Sequence, residues 1–207
     1  GGDLSPEEFG AKTAHDTLSL IDGIGVERVA AFIAEPVMGA GGVIVPPDSY
    51  WPALRAGLKE RGVLLISDEV ICGFGRTGSW FGCQTYGTEP DFMTMAKALT
   101  SGYVPMGAVA VSDRIAEVLV AKGEEFTHGY TYSGHPAAAA AALANLDILE
   151  GEGLPDRVAN DIGPYLQQRW CALADHPVVG EAVMTGLMGA LQLCADKDAR
   201  RAFPEKA

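Results

Sequence analysis

The stretch VLLISDE at residues 63–69 decides the fold, because it is a short aliphatic run that ends in two carboxylates. A comparable run, VAAFIAEP, occupies residues 29–36. Continuous apolar runs of this length are typical of strands that are covered on both faces. The segment between them begins with two candidate capping residues, Asp48 and Ser49, and its pattern predicts a helix that ends at Arg61. A strand, a helix and a strand in this order form a βαβ unit, which predicts two parallel strands.

The rest of the chain continues this alternation of helices and strands. We predict further strands at residues 92–96, 108–111 and 184–193. Residues 1–28 read as a loop and a helix that Ser5 can cap, and further helices are expected from 113 onward, from 136 to about 150, and from the following glycine-rich segment to about 174. This order predicts an α/β fold. The glycine-rich segment at residues 151–155 is the best hinge, so we place a domain boundary near residue 153. Residues 1–153 then form the C-terminal part of a large domain, and residues 154–207 the start of a smaller one.

Composition excludes several classes of protein. The 207 residues include 15 Lys and Arg against 27 Asp and Glu, a formal net charge of −12. Such an acidic chain repels phosphate backbones and anionic membranes, which argues against nucleic-acid and membrane partners. The four cysteines form no C-x-x-C pair and the four histidines are scattered, so we predict no metal site and no disulfide framework. We therefore expect a cytoplasmic protein. Because the chain starts at Gly1 without Met, we also expect a fragment of a longer one.

Two residues at predicted strand ends are candidate catalytic groups. Asp68 follows an aliphatic strand, so its carboxylate should be desolvated and should need a cationic or protonated partner. Lys97 follows the apolar run at residues 92–96, so its amine should lie in a poorly solvated pocket that favours the neutral, nucleophilic form. Taken singly, Asp68 could equally be a structural residue in an ion pair or a helix cap, and Lys97 is better explained as an ordinary strand-end lysine. Together they place an acid and an amine at one sheet edge, as pyridoxal phosphate enzymes require.

Two other segments have more than one interpretation. The sequence GFGRTG at residues 73–78 matches a nucleotide-binding pattern, but that pattern must join a strand directly to a helix, and we expect no helix in residues 79–90. The sequence HGYTYSGHP at residues 128–136 precedes a predicted helix. Its hydroxyl side chains, Thr131 among them, could bind an anion such as a phosphate or could cap that helix, and local sequence does not separate these alternatives.

Five stretches in this order resemble a known family. They are AAFIAEPVMGAGGVIVPP (30–47), LLISDEVICGFGRTGSWFG (64–82), DFMTMAKAL (91–99), VPMGAVAVSDRI (104–115) and HGYTYSGHP (128–136). Together they look like class III aminotransferases, most of all the omega-amino acid–pyruvate branch. The resemblance implies a fold-type I pyridoxal 5′-phosphate enzyme. It also implies a three-layer αβα large domain, part of which is present here, followed by the start of a small α+β domain.

The resemblance also assigns roles to five residues. It implies that Lys97 carries the cofactor and that Asp68 pairs with the nitrogen of its pyridine ring. Val70 would pack against one face of that ring. Thr131 would bind the cofactor phosphate from the partner subunit, which implies a homodimer. Glu35 would lie near the substrate entrance and pair there with an arginine.

The activity implied is the transfer of an amino group from an omega-amino acid or amine to an oxo acid, with pyruvate as the expected acceptor. An aminomutase or a decarboxylase on the same fold, and a non-catalytic dimerisation or regulatory module, are the alternatives. The sequence departs from the family's pattern at Ile71, where many members carry Gln, and at Met184 and Thr185, where relatives carry Arg-Gly. The family's phosphate-binding loop, its ring-stacking aromatic residue and its carboxylate-binding arginine fall outside these residues. We therefore expect the isolated chain to be inactive.

Overall fold

The computed structural model of the protein describes residues 3–123 and 126–204. The helices are α1 (Pro6–Ile24), α2 (Tyr50–Glu60), α3 (Gly82–Thr85), α4 (Asp113–Ala121), α5 (Pro136–Gly151), α6 (Leu154–Arg157) and α7 (Gly163–Cys171). The strands are β1 (Ala31–Ala34), β2 (Leu64–Asp68), β3 (Phe92–Met95), β4 (Ala108–Val111), β5 (Val179–Thr185) and β6 (Met188–Leu193). Short 3₁₀ turns lie at Val26–Arg28, Lys97–Thr100 and Ala172–Asp175, and a π-helical segment, Val158–Ile162, joins α6 to α7.

Four strands form one mixed sheet in the order β1-β2-β3-β4. Strands β1, β2 and β3 are parallel, and β4 is antiparallel to β3. The predicted βαβ unit and its parallel strands are therefore confirmed. Strands β5 and β6 form a separate antiparallel pair. This mixture of parallel strands and helices is the α/β class that the sequence predicts.

The main apolar core packs α1 and α2 against β2. Helix α1 begins with the predicted cap: the Ser5 hydroxyl accepts a hydrogen bond from the backbone N–H of Glu8 at 3.2 Å, and the Glu8 carboxylate accepts one from the N–H of Ser5 at 2.8 Å. The buried core residues are Ala14, Leu18, Ile21, Trp51, Leu54, Leu58, Val63 and Leu65. Burial of each large aliphatic side chain stabilises the fold by about 1.5–3 kcal/mol. This core holds the strand that ends at Asp68.

Asp91 links three elements at the start of β3. Its carboxylate accepts hydrogen bonds from the backbone N–H of Leu65 at 2.8 Å, from Arg55 at 3.2 Å and from Arg114 at 2.5 Å. Burial opposes ionisation, but the hydrogen bonds from Leu65 and Arg114 and the charge of Arg55 outweigh it and hold the pKa of Asp91 below its usual range. The side chain thereby fastens α2 and α4 to the sheet.

The C-terminal strand prediction was wrong in its topology. A single strand was expected over residues 184–193, whereas the chain forms the hairpin of β5 and β6. Gly186, at the turn, has a φ of +53°, which lies in the left-handed region that glycine adopts without strain. The apolar run therefore comprises the end of one strand, a tight turn and a second strand.

Three smaller expectations also need correction. Helix α3 lies within the segment 79–90, where no helix was expected. Ser49 precedes α2 but does not cap it through its side chain, because its hydroxyl donates to the carbonyl of Glu7 at 2.7 Å. Strand β1 is not covered on both faces, since Ile33 is 57% exposed. The reason is that Ile33 lines an open cavity in the described structure.

The junction between α5 and α6 lies where the sequence placed a hinge. Gly153 has a φ of +58° and separates the two helices. The division into residues 1–153 and 154–207 stays a prediction, and residues 1–2 and 205–207, at the outer ends of the two ranges, lie outside the described residues. Among the described helices, none is long and apolar enough to cross a membrane.

Candidate active site

The topology brings Asp68 and Lys97 to the same edge of the sheet. Asp68 is the last residue of β2 and is aligned with Thr94 of the parallel strand β3. Lys97 follows Thr94 by three residues and begins a 3₁₀ turn directly after β3. The carboxyl ends of parallel strands are the edge where open α/β sheets bind ligands. The pairing predicted from the sequence is therefore present in the backbone.

Lys97 has an unusual backbone conformation for a residue with a side chain. Its φ is +45°, and the preceding Ala96 is fully extended with a φ of −161°. Residues held in the left-handed region cluster at functional sites, where the surrounding structure imposes the strain. The expectation of a poorly solvated amine was wrong for this chain, because Lys97 is exposed. The physical reason is that Lys97 stands on a turn beyond the end of the strand and borders an open cavity.

Asp68 is half-buried, and its carboxylate has one hydrogen-bond partner in the described structure. Its Oδ1 atom accepts a hydrogen bond from the backbone N–H of Val70 at 3.1 Å. The expected cationic partner is not found, since Asp68 makes no ion pair with any residue in the ranges 3–123 and 126–204. One carboxylate oxygen thus stays available to a protonated group of a ligand.

A cavity of about 710 Å³ lies beside Lys97. Its lining includes Val70, Ile71, Arg76, Lys97, Ser101 and Met188. Asp68 borders a second cavity of about 530 Å³, which it shares with Glu35 and a mainly apolar wall. Val70 connects the two cavities. It lines the first cavity, and its backbone N–H donates a hydrogen bond to Asp68, which borders the second. Lys97 and Val70 therefore line one cavity, and the backbone N–H of Val70 links that cavity to Asp68.

Glu35 lies at the end of β1, close to both cavities. It is half-buried, and its Oε1 atom accepts a hydrogen bond from the backbone N–H of Gly39 at 3.2 Å. Gly39 in turn lines the cavity beside Lys97. Glu35 makes no ion pair with an arginine in the part of the chain that the structure describes. Glu35 as a substrate-entrance residue stays a prediction.

Thr131 is not brought to the cavity beside Lys97. It lies in an exposed loop before α5, between Tyr130 and Tyr132, which are 80% and 81% exposed. Within this loop the Ser133 hydroxyl accepts a hydrogen bond from the N–H of Tyr130 at 2.9 Å, and no side chain caps α5. The helix-capping alternative is thus not supported, and the loop presents its hydroxyl groups outward.

Sequence reasoning missed two residues of this region. Glu69 is a completely buried carboxylate that directly follows Asp68. Arg76 is exposed and lines the cavity beside Lys97, but it stands in the GFGRTG segment that was set aside with the nucleotide-binding motif. A signal for Arg76 was available, because a cation in a glycine-rich loop after an acidic strand end is suited to bind a carboxylate.

The thiols beside Glu69 do not ionise in the neutral range. Burial, with smaller contributions from the charges of Glu69, Glu35 and Asp68, raises the pKa of Cys72 to about 12. Burial and the charge of Glu69 raise the pKa of Cys83 to about 12. Neither thiol is thus a candidate nucleophile, since the thiolate is the reactive form. Lys97 remains the candidate nucleophile at this edge.

Comparison with known proteins decides the family. The family model "Aminotransferase class-III" matches residues 7–207. The chain belongs to the class III aminotransferases. Members of this family depend on pyridoxal phosphate, and one solved relative, an amine transaminase from an uncultivated Pseudomonas species, is described in its PLP-bound form. That structure has a TM-score of 0.90 and 45% sequence identity, and the match covers 95% of this chain and 45% of that one.

Other relatives of this class III aminotransferase chain are transaminases. A putrescine–pyruvate aminotransferase of Pseudomonas aeruginosa is 57% identical over 206 residues, which cover 100% of this chain and 45% of the relative. The structure of an (S)-enantioselective omega-transaminase from Thermomicrobium roseum has a TM-score of 0.93 and 52% identity, and covers 98% of this chain and 45% of that one. The chain thus spans less than half the length of these relatives.

The residues at this edge fit pyridoxal phosphate by their chemistry. The cofactor needs an amine to attach it and an acid beside the ring nitrogen. It also needs an apolar wall against the ring. Lys97 supplies the amine, Asp68 supplies a carboxylate with a single hydrogen-bond partner in the described ranges, and Val70 and Ile71 supply apolar wall in the cavity. The side chains at this edge of the class III aminotransferase chain therefore supply the groups that pyridoxal phosphate needs.

Proposed function

We propose that the whole protein is a pyridoxal phosphate-dependent transaminase that moves an amino group from an amine or omega-amino acid to an oxo acid, with pyruvate as acceptor. The observation that carries this proposal is the pairing of Lys97 and Asp68 at one sheet edge, with Lys97 on a strained turn beside a cavity of about 710 Å³. The names of the relatives support the same reaction, since they are aminotransferases and one is named for pyruvate.

Each residue has a distinct task in this reaction. The bound cofactor supplies an electrophilic carbon and a ring that accepts electrons. The amine of Lys97 would attach the cofactor. Once the donor amine has displaced it, the amine would take a proton from the substrate carbon that carries the amino group and would deliver it to the cofactor's carbon, as general base and then general acid. The carboxylate of Asp68 holds a proton on the ring nitrogen. Val70 and Ile71 line the cavity and would give the bound ring an apolar wall that excludes water from it.

Arg76 is suited to bind the carboxylate of the oxo acid. It is exposed, lines the same cavity as Lys97 and makes no ion pair with the described residues. A guanidinium group binds a carboxylate with two parallel hydrogen bonds, which fixes the orientation of the substrate. The cavity then presents Lys97 to the amino end of the substrates and Arg76 to their acid end.

The proposed enzyme is a homodimer in which Thr131 binds the cofactor phosphate across the interface. The exposure of the loop around Thr131 and its position outside the Lys97 cavity support this arrangement. Free cysteines at four described positions suit a reducing cytoplasm, which is where we place the enzyme. Co-expression of Thr131→Ala and Lys97→Ala chains tests the arrangement. Mixed dimers should regain activity that neither variant shows alone, and no gain would contradict it.

Product analysis tests the reaction itself. The full-length protein should form alanine from pyruvate and an amine donor such as putrescine, and Lys97→Ala should form none. An aminomutase or a decarboxylase would give product without pyruvate. A non-catalytic module would give none under either condition.

A further inference from the structure

Glu69 is a buried carboxyl group whose two oxygens both accept hydrogen bonds. The residue is 0% exposed. Its Oε1 atom accepts from the Ser67 hydroxyl at 2.9 Å and from the backbone N–H of Cys83 at 2.7 Å, and its Oε2 atom accepts from the N–H of Gly82 at 2.7 Å. Three hydrogen-bond donors therefore fix the position of this carboxylate, which acts only as an acceptor. A buried carboxylate is costly unless its oxygens are satisfied in this way.

The backbone of Glu69 makes two more connections. Its N–H donates to the carbonyl of Thr94 in β3 at 2.9 Å, and its carbonyl accepts from the N–H of Gly73 at 2.9 Å. Thr94 is the residue aligned with Asp68 and lies three positions before Lys97. One residue thus fastens the end of β2 to the end of β3, and both to the start of α3.

The segment that Glu69 closes is the wall of the candidate active site. Residues 70–81 leave Glu69 and return to its carboxylate at Gly82. This segment carries three residues of the cavity beside Lys97, namely Val70, Ile71 and Arg76. It also carries the only hydrogen-bond donor to the carboxylate of Asp68 among the described residues, the N–H of Val70. The position of Asp68 therefore depends on a segment that Glu69 fixes at both ends.

We propose that Glu69 is a positioning residue for the Lys97–Asp68 site. Its carboxylate anchors residues 70–81 and thereby sets the carboxylate of Asp68 and the cavity wall opposite Lys97. The inference rests on the proposed function, because it concerns the same site. The inference adds to the proposed site a residue that does not touch the substrate or the cofactor.

The substitution Glu69→Gln tests this role in the full-length protein. Glutamine has the same shape, but its amide NH₂ must face the N–H of Gly82 or the donors from Ser67 and Cys83, so at least one hydrogen bond is lost. Glu89→Gln is the matched control, because Glu89 is an exposed carboxylate of the same region without a hydrogen bond to the described residues.

Two measured quantities are expected to change in Glu69→Gln, and neither should change in the control Glu89→Gln. In the cofactor-free protein, hydrogen exchange at the amides of Gly82 and Cys83 should rise at least ~10-fold, since local opening becomes easier. In the holoenzyme, kcat should fall ~10- to 10²-fold, which is the effect of displacing reacting groups by about 1 Å. The KM for the amine should change little, because the contacts that bind substrate remain.

Each contrary outcome identifies what has failed. Faster exchange with an unchanged kcat would show that Glu69 only stabilises the fold, and unchanged exchange would show that its hydrogen bonds fix nothing. If Glu69→Gln does not fold, Ser67→Ala replaces it: it removes one donor, and the absence of a smaller change in the same direction would refute the proposal. A wild-type protein without transamination would refute the proposed function and this inference with it, whereas normal wild-type turnover with normal Glu69→Gln turnover refutes this inference alone.

Discussion

The charge of Asp68, more than its shape, is what the proposed chemistry needs. Asp68→Asn keeps the size of the side chain and an oxygen that can accept the hydrogen bond from Val70. We expect the fold to be intact and the proton-transfer step to slow by at least ~10²-fold, as when one preorganised electrostatic contact is lost. Single-turnover kinetics measure this step, and the exposed carboxylate variant Asp175→Asn is the control. Rates equal to wild type in both variants would make Asp68 a structural residue.

The sequence identifies the residues of the site better than their surroundings. Asp68 and Lys97 could be predicted because each follows an apolar run, a local feature. The exposure of Lys97 could not, since it depends on a turn with a positive φ after β3. Glu69 was missed because the N–H groups that bind it lie 13 and 14 residues further along the chain. No local pattern records a hydrogen bond over that separation.

The hairpin of β5 and β6 depends on the left-handed conformation of Gly186. A Cβ atom at this position would overlap the carbonyl oxygen of Arg76, and the φ of +53° is strained for any other residue. We expect Gly186→Ala to lower the free energy of unfolding by roughly 1–3 kcal/mol. Gly23→Ala, at an open position in α1, should instead raise it by about 0.5–1 kcal/mol. Urea unfolding compares the two, and equal effects would show that the turn carries no strain.

The ion pairs of Asp91 should make the stability of the protein depend on pH. Asp91→Asn should lower the free energy of unfolding by roughly 1.5–3 kcal/mol near neutral pH, the usual worth of hydrogen bonds to a charged group. The pKa of Asp91 is lowered in the folded state. Its stabilising contribution is therefore fully present above the unfolded value of about 3.9 and is lost as pH falls through the lower folded value.

Unfolding at several pH values checks both parts of this expectation. The difference between wild type and Asp91→Asn should shrink as the pH is lowered below about 4. Asp16→Asn is the control, because Asp16 pairs with Lys12 on an exposed helix face and should contribute less than about 0.5 kcal/mol. A difference that does not vary with pH would contradict the assignment of charge to Asp91.

The elements themselves show where sequence patterns stop being sufficient. Strands β2 and β3 could be predicted because each is a mainly apolar run bounded by polar residues. The hairpin was missed because its turn signal is only Thr185 and Gly186, and apolar residues resume directly after it. Ile33 and Val109, in the outer strands β1 and β4, are 57% and 62% exposed despite their apolar character. Sequence patterns mark residues that tend to be covered but not what covers them.

At the scale of the whole molecule, these 207 residues alone should bind pyridoxal phosphate poorly and turn over nothing. Lys97 and Asp68 are present, but Thr131 lies outside the cavity. A cofactor held without its phosphate contacts loses several charge-assisted hydrogen bonds, each worth roughly 1.5–3 kcal/mol. The exposed apolar residues of β1 and β4 should also favour aggregation.

Cofactor titration of the isolated chain, followed by absorbance and size-exclusion chromatography, measures this expectation. The full-length protein is the positive control in the same buffer. A dimer of the 207-residue chain with stoichiometric cofactor and pyruvate-dependent turnover would contradict it, since these residues would then form a complete site.

The attachment point of the cofactor tests the central claim most directly. The full-length protein is loaded with pyridoxal phosphate, reduced with borohydride to make the attachment permanent, and digested for peptide mass spectrometry. We expect the mass of one reduced cofactor on Lys97, within the sequence FMTMAKAL, and none in Lys97→Ala. A label on a different lysine, or an equal label in the Lys97→Ala protein, would contradict the assignment of Lys97 and with it the proposed active site.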